Sequence, residues 1–189
     1  MTLSPAPALT GVPVVETERL ILRAPMASDF DVFAEFAASD RASFVGGPNG
    51  RGLAWRGFCH ITGHWVHRGF GVFVVCDKAT GAPLGTSGPF HPEGWPEPEI
   101  AWTIWAPQAE GKGLAFEAAT ATRAFAYDVL GWSTAISLIH VGNTRSAALA
   151  RRMGCVPDGI FTHEQYGEST IWRHPAPDAL ADGGMGAYA

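Results

Sequence analysis

At 189 residues the chain is long enough to close one hydrophobic core, and 47% hydrophobic against 16% charged residues reads as a globular domain. A formal net charge of -5 excludes a general nucleic-acid binder, because neutralising phosphates takes a basic face, and it favours cationic partners. Cys59, Cys76 and Cys155 show no C-x-x-C spacing, which excludes a disulfide framework and fits a reducing, cytoplasmic setting. The N-terminal stretch lacks a positive start and an unbroken apolar core, and no later run has membrane-spanning length, so neither secretion nor membrane insertion is expected.

Residues 1–15 and 175–189 are rich in Pro, Ala and Gly and are expected to be flexible segments flanking a domain over 16–174. "RLILR" at 19–23 reads as a strand stopped by Pro25. Ser28-x-x-Asp31, a relative of the capping box, precedes "FDVFAEFAA", whose Phe30, Phe33 and Phe36 follow helical spacing. A second helix is expected over 52–67. "GVFVVCD" at 71–77 and "PLGTSGPF" at 83–90 form a hairpin about the turn at Lys78-Ala79-Thr80-Gly81.

Residues 98–105 read as the next strand, with Glu99, Ala101, Thr103 and Trp105 on one side and Ile100, Trp102 and Ile104 on the other. A long helix follows, with an apolar stripe of Leu114, Ala118, Ala121, Phe125 and Val129 that ends at Gly131. "TAISLIH" at 134–140 is a central strand, Asn143 caps a short helix stopped by Gly154, and two strands are expected near 159–166 and 169–174. This order implies an α/β fold: a mixed central sheet of about six to seven strands flanked by helices.

Between the strand ending at Trp105 and the long helix lies Gln108-Ala109-Glu110-Gly111-Lys112-Gly113. Glycines there let the chain turn tightly and a ligand approach, and the free N–H groups of the helix's first turn suit an anion. The joint reads as a pyrophosphate cradle. It is neither a Rossmann loop, since Phe116 stands where the third glycine would be, nor a P-loop, since Gly113 follows Lys112 where Ser or Thr is required.

Gln108-x-x-Gly111-x-Gly113 between strand and helix resembles the acetyl-CoA signature of the GNAT (GCN5-related N-acetyltransferase) superfamily. "TERLILR" at 17–23, "GKGLAFEA" at 111–118 and "NTRSAALARRMGC" at 143–155 are similar to its RimJ/RimL-like branch. The resemblance implies a single-domain fold splayed between the fourth and fifth expected strands. It also implies direct transfer from acetyl-CoA to an amine acceptor, either a protein N-terminus or a small molecule such as a polyamine, amino acid or aminoglycoside. A homodimer is compatible with it, and neither nucleic acid nor membrane is an implied partner.

By the same resemblance Gln108, Gly111, Lys112, Gly113 and Leu114 would hold the pyrophosphate, and a backbone N–H at Trp105 or Ala106 would polarise the thioester carbonyl. Asn143 would cap its helix and touch the cosubstrate, and Glu99 would be the base, with Glu97 as fallback. The tyrosine that the family uses as acid is replaced by Ala150, which leaves Ser146 as the candidate. That loss keeps open an alternative, a non-catalytic acyl-CoA-binding sensor. Cys59, His60, His64 and His67 share helical spacing, but no Glu follows His60 as a zinc-protease motif requires, so no metal is expected. Trp55, Phe58 and Trp65 are read as part of a substrate wall, and Trp95, set among prolines, as a candidate lining of the acceptor pocket.

Overall fold

A computed structural model of the chain describes residues 9–164 and 166–181. The strands are β1 (Val15–Glu16), β2 (Leu20–Arg23), β3 (Phe73–Asp77), β4 (Pro83–Phe90), β5 (Glu99–Ile104), β6 (Ile136–His140), β7 (Val156–His163) and β8 (Gly167–Arg173). They form one sheet in the order β1-β2-β3-β4-β5-β6-β8-β7. Every pairing is antiparallel except β5 with β6. Eight strands exceed the expected six to seven because Val15 and Glu16 pair with Leu22 and Ile21, a two-residue ladder too short to show as alternation.

Helices α1 (Phe30–Ala37) and α2 (Arg51–Arg68) cover one face, and α3 (Leu114–Asp128) and α4 (Thr144–Arg152) cover the other; α5 (Pro177–Ala181) follows the last strand. The period-two pleat sorts the core. Val74, Cys76 and Trp105 pack with Phe36 and Phe58, whereas Phe73, Val75, Leu20 and Leu22 meet Leu114, Ala118 and Phe125. Each such buried side chain contributes roughly 1.5–3 kcal/mol, so β3, apolar on both faces, anchors the sheet.

Several boundaries differ from the sequence expectation for physical reasons. The entry to α1 is organised by Asp29, not by Ser28: its carboxylate accepts the Met26 N–H at 2.8 Å and both arms of Arg23 at 2.7 and 2.8 Å. The buried face of α3 also takes in Ala119, Thr122 and Ala126, and Val129, expected at the end of the stripe, caps the helix C-terminus and is 66% exposed. Of the expected flexible ends, 1–8 and 182–189 lie outside the described residues. Leu9, Val12 and Val15 pack against the core, and Leu180 packs beside Ile100 and Tyr127.

Candidate active site

The parallel pair β5 and β6 is joined by one backbone bridge, Glu99 to Ile136, and then opens. Ser137 ties the base of the fork by donating its hydroxyl to Ile100 O at 2.6 Å, and the buried His174 Nε2–H donates back to Ser137 Oγ at 2.9 Å. One residue further up, the Leu138 N–H has lost its strand partner and donates to Glu99 Oε2 at 3.0 Å instead. Above this point lies a cavity of about 780 Å³, lined among others by Phe33, Glu99, Trp102, Asn143, Ser146 and Tyr166. Glu99, Ser146, Asn143 and Trp105 are thus brought to one cavity. Gln108, Lys112 and Leu114 line a separate hollow of about 580 Å³ between the glycine joint and the β3–β4 turn.

Glu99 is 7% exposed. Burial penalises its charged form and pushes its pKa up to about 7, opposed in part by the Leu138 N–H. The Trp95 side chain pulls the same way, although its buried indole N–H makes no hydrogen bond of normal geometry. Glu97, the fallback, is differently placed. It grips Arg173 in a bidentate pair at 2.5 and 2.7 Å, and that hydrogen bonding holds its carboxyl below the usual range. Glu97 is a structural ion-pair partner, shared with Asp158 across Arg173, and does not line the cavity.

The end of β5 corrects one expectation. The N–H groups of Trp105 and Ala106 both donate to Leu84 O, at 2.7 and 3.1 Å, so they face β4 and not the fork. Pleat parity then turns the backbone groups of Ile100, Trp102 and Ile104 toward β6, in agreement with the Ser137 bond to Ile100 O. Arg41, which sequence reasoning missed, holds this strand end: it donates to Trp105 O at 2.6 Å and Ile104 O at 2.8 Å, and pairs with Glu110 at 2.6 Å. Glu110 also binds Arg145 of α4 at 2.6 Å, linking the two walls of the fork. A lone arginine in a short 3-10 helix, 63 and 64 residues upstream of the carbonyls it binds, carries no local signal for this.

At the joint, Gly111 and Gly113 have φ of 71° and 76°, the left-handed region that side chains avoid. Among the described residues the N–H groups of Gly111, Lys112, Gly113 and Leu114 donate to no backbone carbonyl. The segment is steadied from behind by Arg19, which donates to Lys112 O at 3.0 Å and to Glu117 at 2.6 Å, while Thr17 donates to the same carboxylate at 2.6 Å. This is the physical content of "TERLILR": its polar residues lock the first turn of α3.

On the opposite wall, Asn143 Oδ1 accepts the Ser146 N–H at 3.1 Å and caps α4. Ser146 Oγ accepts from the Trp102 indole at 3.3 Å, which leaves its hydroxyl proton free to be aimed elsewhere. Ala150 is fully buried beside Met153 and Trp172. Asn143→Ala is expected to lower stability by about 1 kcal/mol, read as a fall of about 3 °C in the thermal midpoint by calorimetry.

His64 is held by the backbone on both ring nitrogens: Nδ1–H donates to Phe70 O at 2.7 Å, and Nε2 accepts the His91 N–H at 3.0 Å. It fastens α2 to β4, and burial lowers its pKa. No group of three or more metal-ligating side chains gathers among the described residues, and no described helix is long and apolar enough to cross a membrane.

A mixed sheet forked between its two parallel strands thus sets a buried carboxylate at the foot of a cleft and a left-handed glycine joint at the start of one helix. The sequence matches the family model of the acetyltransferase (GNAT) domain over residues 19–156. An acetyltransferase from Agrobacterium tumefaciens is 32% identical, with 91% of this chain and 99% of that one covered and a TM-score of 0.80. The chain therefore belongs to the GNAT acetyltransferase family. Its fold is also shared by a ribosomal-protein-S5-alanine acetyltransferase from Vibrio fischeri (16% identity, 88% and 98% covered, TM-score 0.66). The ribosomal L7/L12 α-N-protein acetyltransferase RimL is alike at 13% identity, with 89% and 98% covered and a TM-score of 0.68.

Proposed function

We propose that this acetyltransferase uses acetyl-CoA and transfers the acetyl group directly to a primary amine held in the 780 Å³ cavity, with Glu99 as general base. The observation that carries this reading is a buried carboxylate at the foot of the fork with a pKa of about 7, a value matched to taking a proton at physiological pH.

The residues present fit the cosubstrate. Gly111, Lys112, Gly113 and Leu114 offer N–H groups with no backbone acceptor at a helix start, and beyond the Glu99–Ile136 bridge β5 has no ladder to β6 at Trp102 and Ile104, where Arg41 takes the Ile104 carbonyl. Acetyl-CoA would supply the activated acetyl thioester. The joint, with Gln108, would hold its pyrophosphate, and Asn143 would border its arm. The N–H groups of Trp102 and Ile104, turned toward β6 by pleat parity, take the polarising role first expected of Trp105 and Ala106, whose N–H groups are spent on Leu84 O. Glu99 accepts the proton of the ammonium form, directly or through a water, and so frees the lone pair that attacks. Ser146 Oγ–H is the donor available to the departing sulfur, in place of the tyrosine lost at Ala150.

Calorimetric titration with acetyl-CoA, with NADH and ATP as controls, should give saturable binding to acetyl-CoA alone, and addition of an amine panel should release free CoA thiol. Absence of acetyl-CoA binding would remove the cradle reading. Binding with no thiol release from any amine would leave a binding module in place of an enzyme.

A further inference from the structure

We propose that the acceptor is a small primary monoamine with an aromatic or apolar body, selected by the ring wall centred on Trp95 and Tyr166. The proposal rests on the transferase reading above and narrows its acceptor class.

The first support is the wall itself. Phe90, Trp95, His163 and Tyr166 all line the cavity. Their ring centroids follow one another at 6.1 Å (Phe90 to Trp95), 5.2 Å (Trp95 to His163) and 4.8 Å (His163 to Tyr166), with Trp95 to Tyr166 at 5.9 Å. Offset and edge-on rings at these spacings make a continuous apolar surface from Tyr166, 37% exposed at the mouth, inward to Trp95 near Glu99. Phe44, Val45 and Leu53 add apolar surface to the same cavity. A ligand body buried here gains by being apolar.

The second support is charge. Two carboxylates line the cavity, Glu93 and Glu99. The Glu93 side chain is fully exposed and paired with Arg68, so only Glu99 is buried. A polyamine or aminoglycoside would bring several ammonium groups into a pocket with one buried carboxylate and with Arg56 in its lining, and the extra charges would lose water without gaining partners. A single amine matches a single base. The buried Trp95 indole N–H is near enough to Glu99 to pull on its carboxylate, so the ring wall ends beside the single buried carboxylate that would meet the amine.

The third support is the roof. A Cβ built on Gly46 would stand 2.7 Å from the Tyr166 ring, so the ring lies directly on that backbone, which is left-handed with φ of 86°. Phe44 packs on His140 with centroids 5.3 Å apart and crowds Gly142. The segment before α2 therefore touches both the β7–β8 turn and the β6–α4 turn. An extended protein N-terminus needs a groove open along its length, and these two contacts cross that path, whereas a compact amine needs no such groove.

The test is thiol release by the purified full chain with acetyl-CoA and phenylethylamine, hexylamine, spermidine, an aminoglycoside, or hexapeptides beginning in Ser or Ala. The expected result is a kcat/KM for phenylethylamine at least about tenfold above those for spermidine, the aminoglycoside and the peptides. Trp95→Ala should raise the KM for phenylethylamine about tenfold with the KM for acetyl-CoA unchanged, and Trp95→Phe should restore most of it. Tyr166→Ala, at the exposed mouth, gives a second reading of the same KM should Trp95→Ala fail to fold. Best turnover of spermidine, the aminoglycoside or a peptide overturns the acceptor class and leaves the transferase standing. Acetyl-CoA binding without thiol release from any amine overturns the transferase reading, and this proposal with it.

Discussion

Glu99→Gln is expected to lower kcat by about 10²–10³-fold while acetyl-CoA affinity by calorimetry stays unchanged. Gln keeps the size of the side chain and can still accept the Leu138 N–H through its amide oxygen, so the fork is preserved and only the proton acceptor is lost. The base must be ionised to act, so kcat of the parent enzyme should climb through a pKa of about 7, and that limb should vanish in the variant. Parent-like turnover with the limb intact would clear Glu99 of the role.

The same group links activity to stability, with a sign that can be checked. The folded pKa lies above the ordinary carboxylate value of 4.5, so between pH 4.5 and 7 the native state holds a proton that the unfolded chain has released. Stability from this residue is full below pH 4.5 and falls as pH rises to 7, by about 3 kcal/mol in total. Glu99→Gln removes the slope. Thermal midpoints of parent and variant should therefore converge near pH 5 and separate near pH 8, with the inactive variant the more stable at the higher pH. That loss is what keeping a carboxylate buried costs.

Residues whose roles are set by local pattern were legible in the sequence. Alternation along β5 put Glu99 on the same side as Trp105, and that side packs against α1 and α2, where the cavity lies. Asn143 followed by a helix start announced its own cap, and the glycines at 111 and 113 announced a left-handed joint. What escaped is long-range. Arg41 reaches Trp105 and Ile104 across the fold, and Ser137 with His174 closes the fork between elements far apart in the chain. The direction of the Trp105 and Ala106 N–H groups depends on both bonding one carbonyl, Leu84 O, an irregularity that side-chain periodicity does not encode. Glu97, the fallback to Glu99, stood on the same expected side two residues earlier, and only Arg173, 76 residues beyond Glu97, reveals it as an ion-pair partner outside the cavity.

His174 shows how much structure supports the Glu99 carboxylate. Burial, with the nearby positive charges of Arg123 and Arg173, pushes its pKa down to about 3, so it stays neutral and keeps one nitrogen on Ser137. Ser137 in turn fixes Ile100 O, and the next residue in β6 supplies the N–H that holds Glu99. The carboxylate is therefore positioned by a chain of neutral hydrogen bonds, which leaves its charge uncompensated and its pKa high.

Gly111→Val is expected to weaken acetyl-CoA binding by about 100-fold or more and to cost the fold only about 1–2 kcal/mol. The reason lies in the backbone, not in crowding. An added Cβ at 111 meets nothing within 4 Å, so the side chain itself fits. A β-branched residue does not hold φ at 71°, however, and the joint must take another path that changes the directions of the N–H groups of 111–114, which make no backbone bond to hold them. Loss of two charge-assisted bonds to a phosphate, each worth about 1.5–3 kcal/mol, accounts for the lost affinity. Stability changes little because the joint is exposed and its anchors, Arg19 and Glu117, lie on the far side of the turn. Gly111→Asn, which tolerates the left-handed region, should retain most of the affinity. Binding by the Val variant equal to that of the parent would show that the joint is only a turn, and Val and Asn variants equally impaired would show that open space, not backbone direction, is what the ligand needs there.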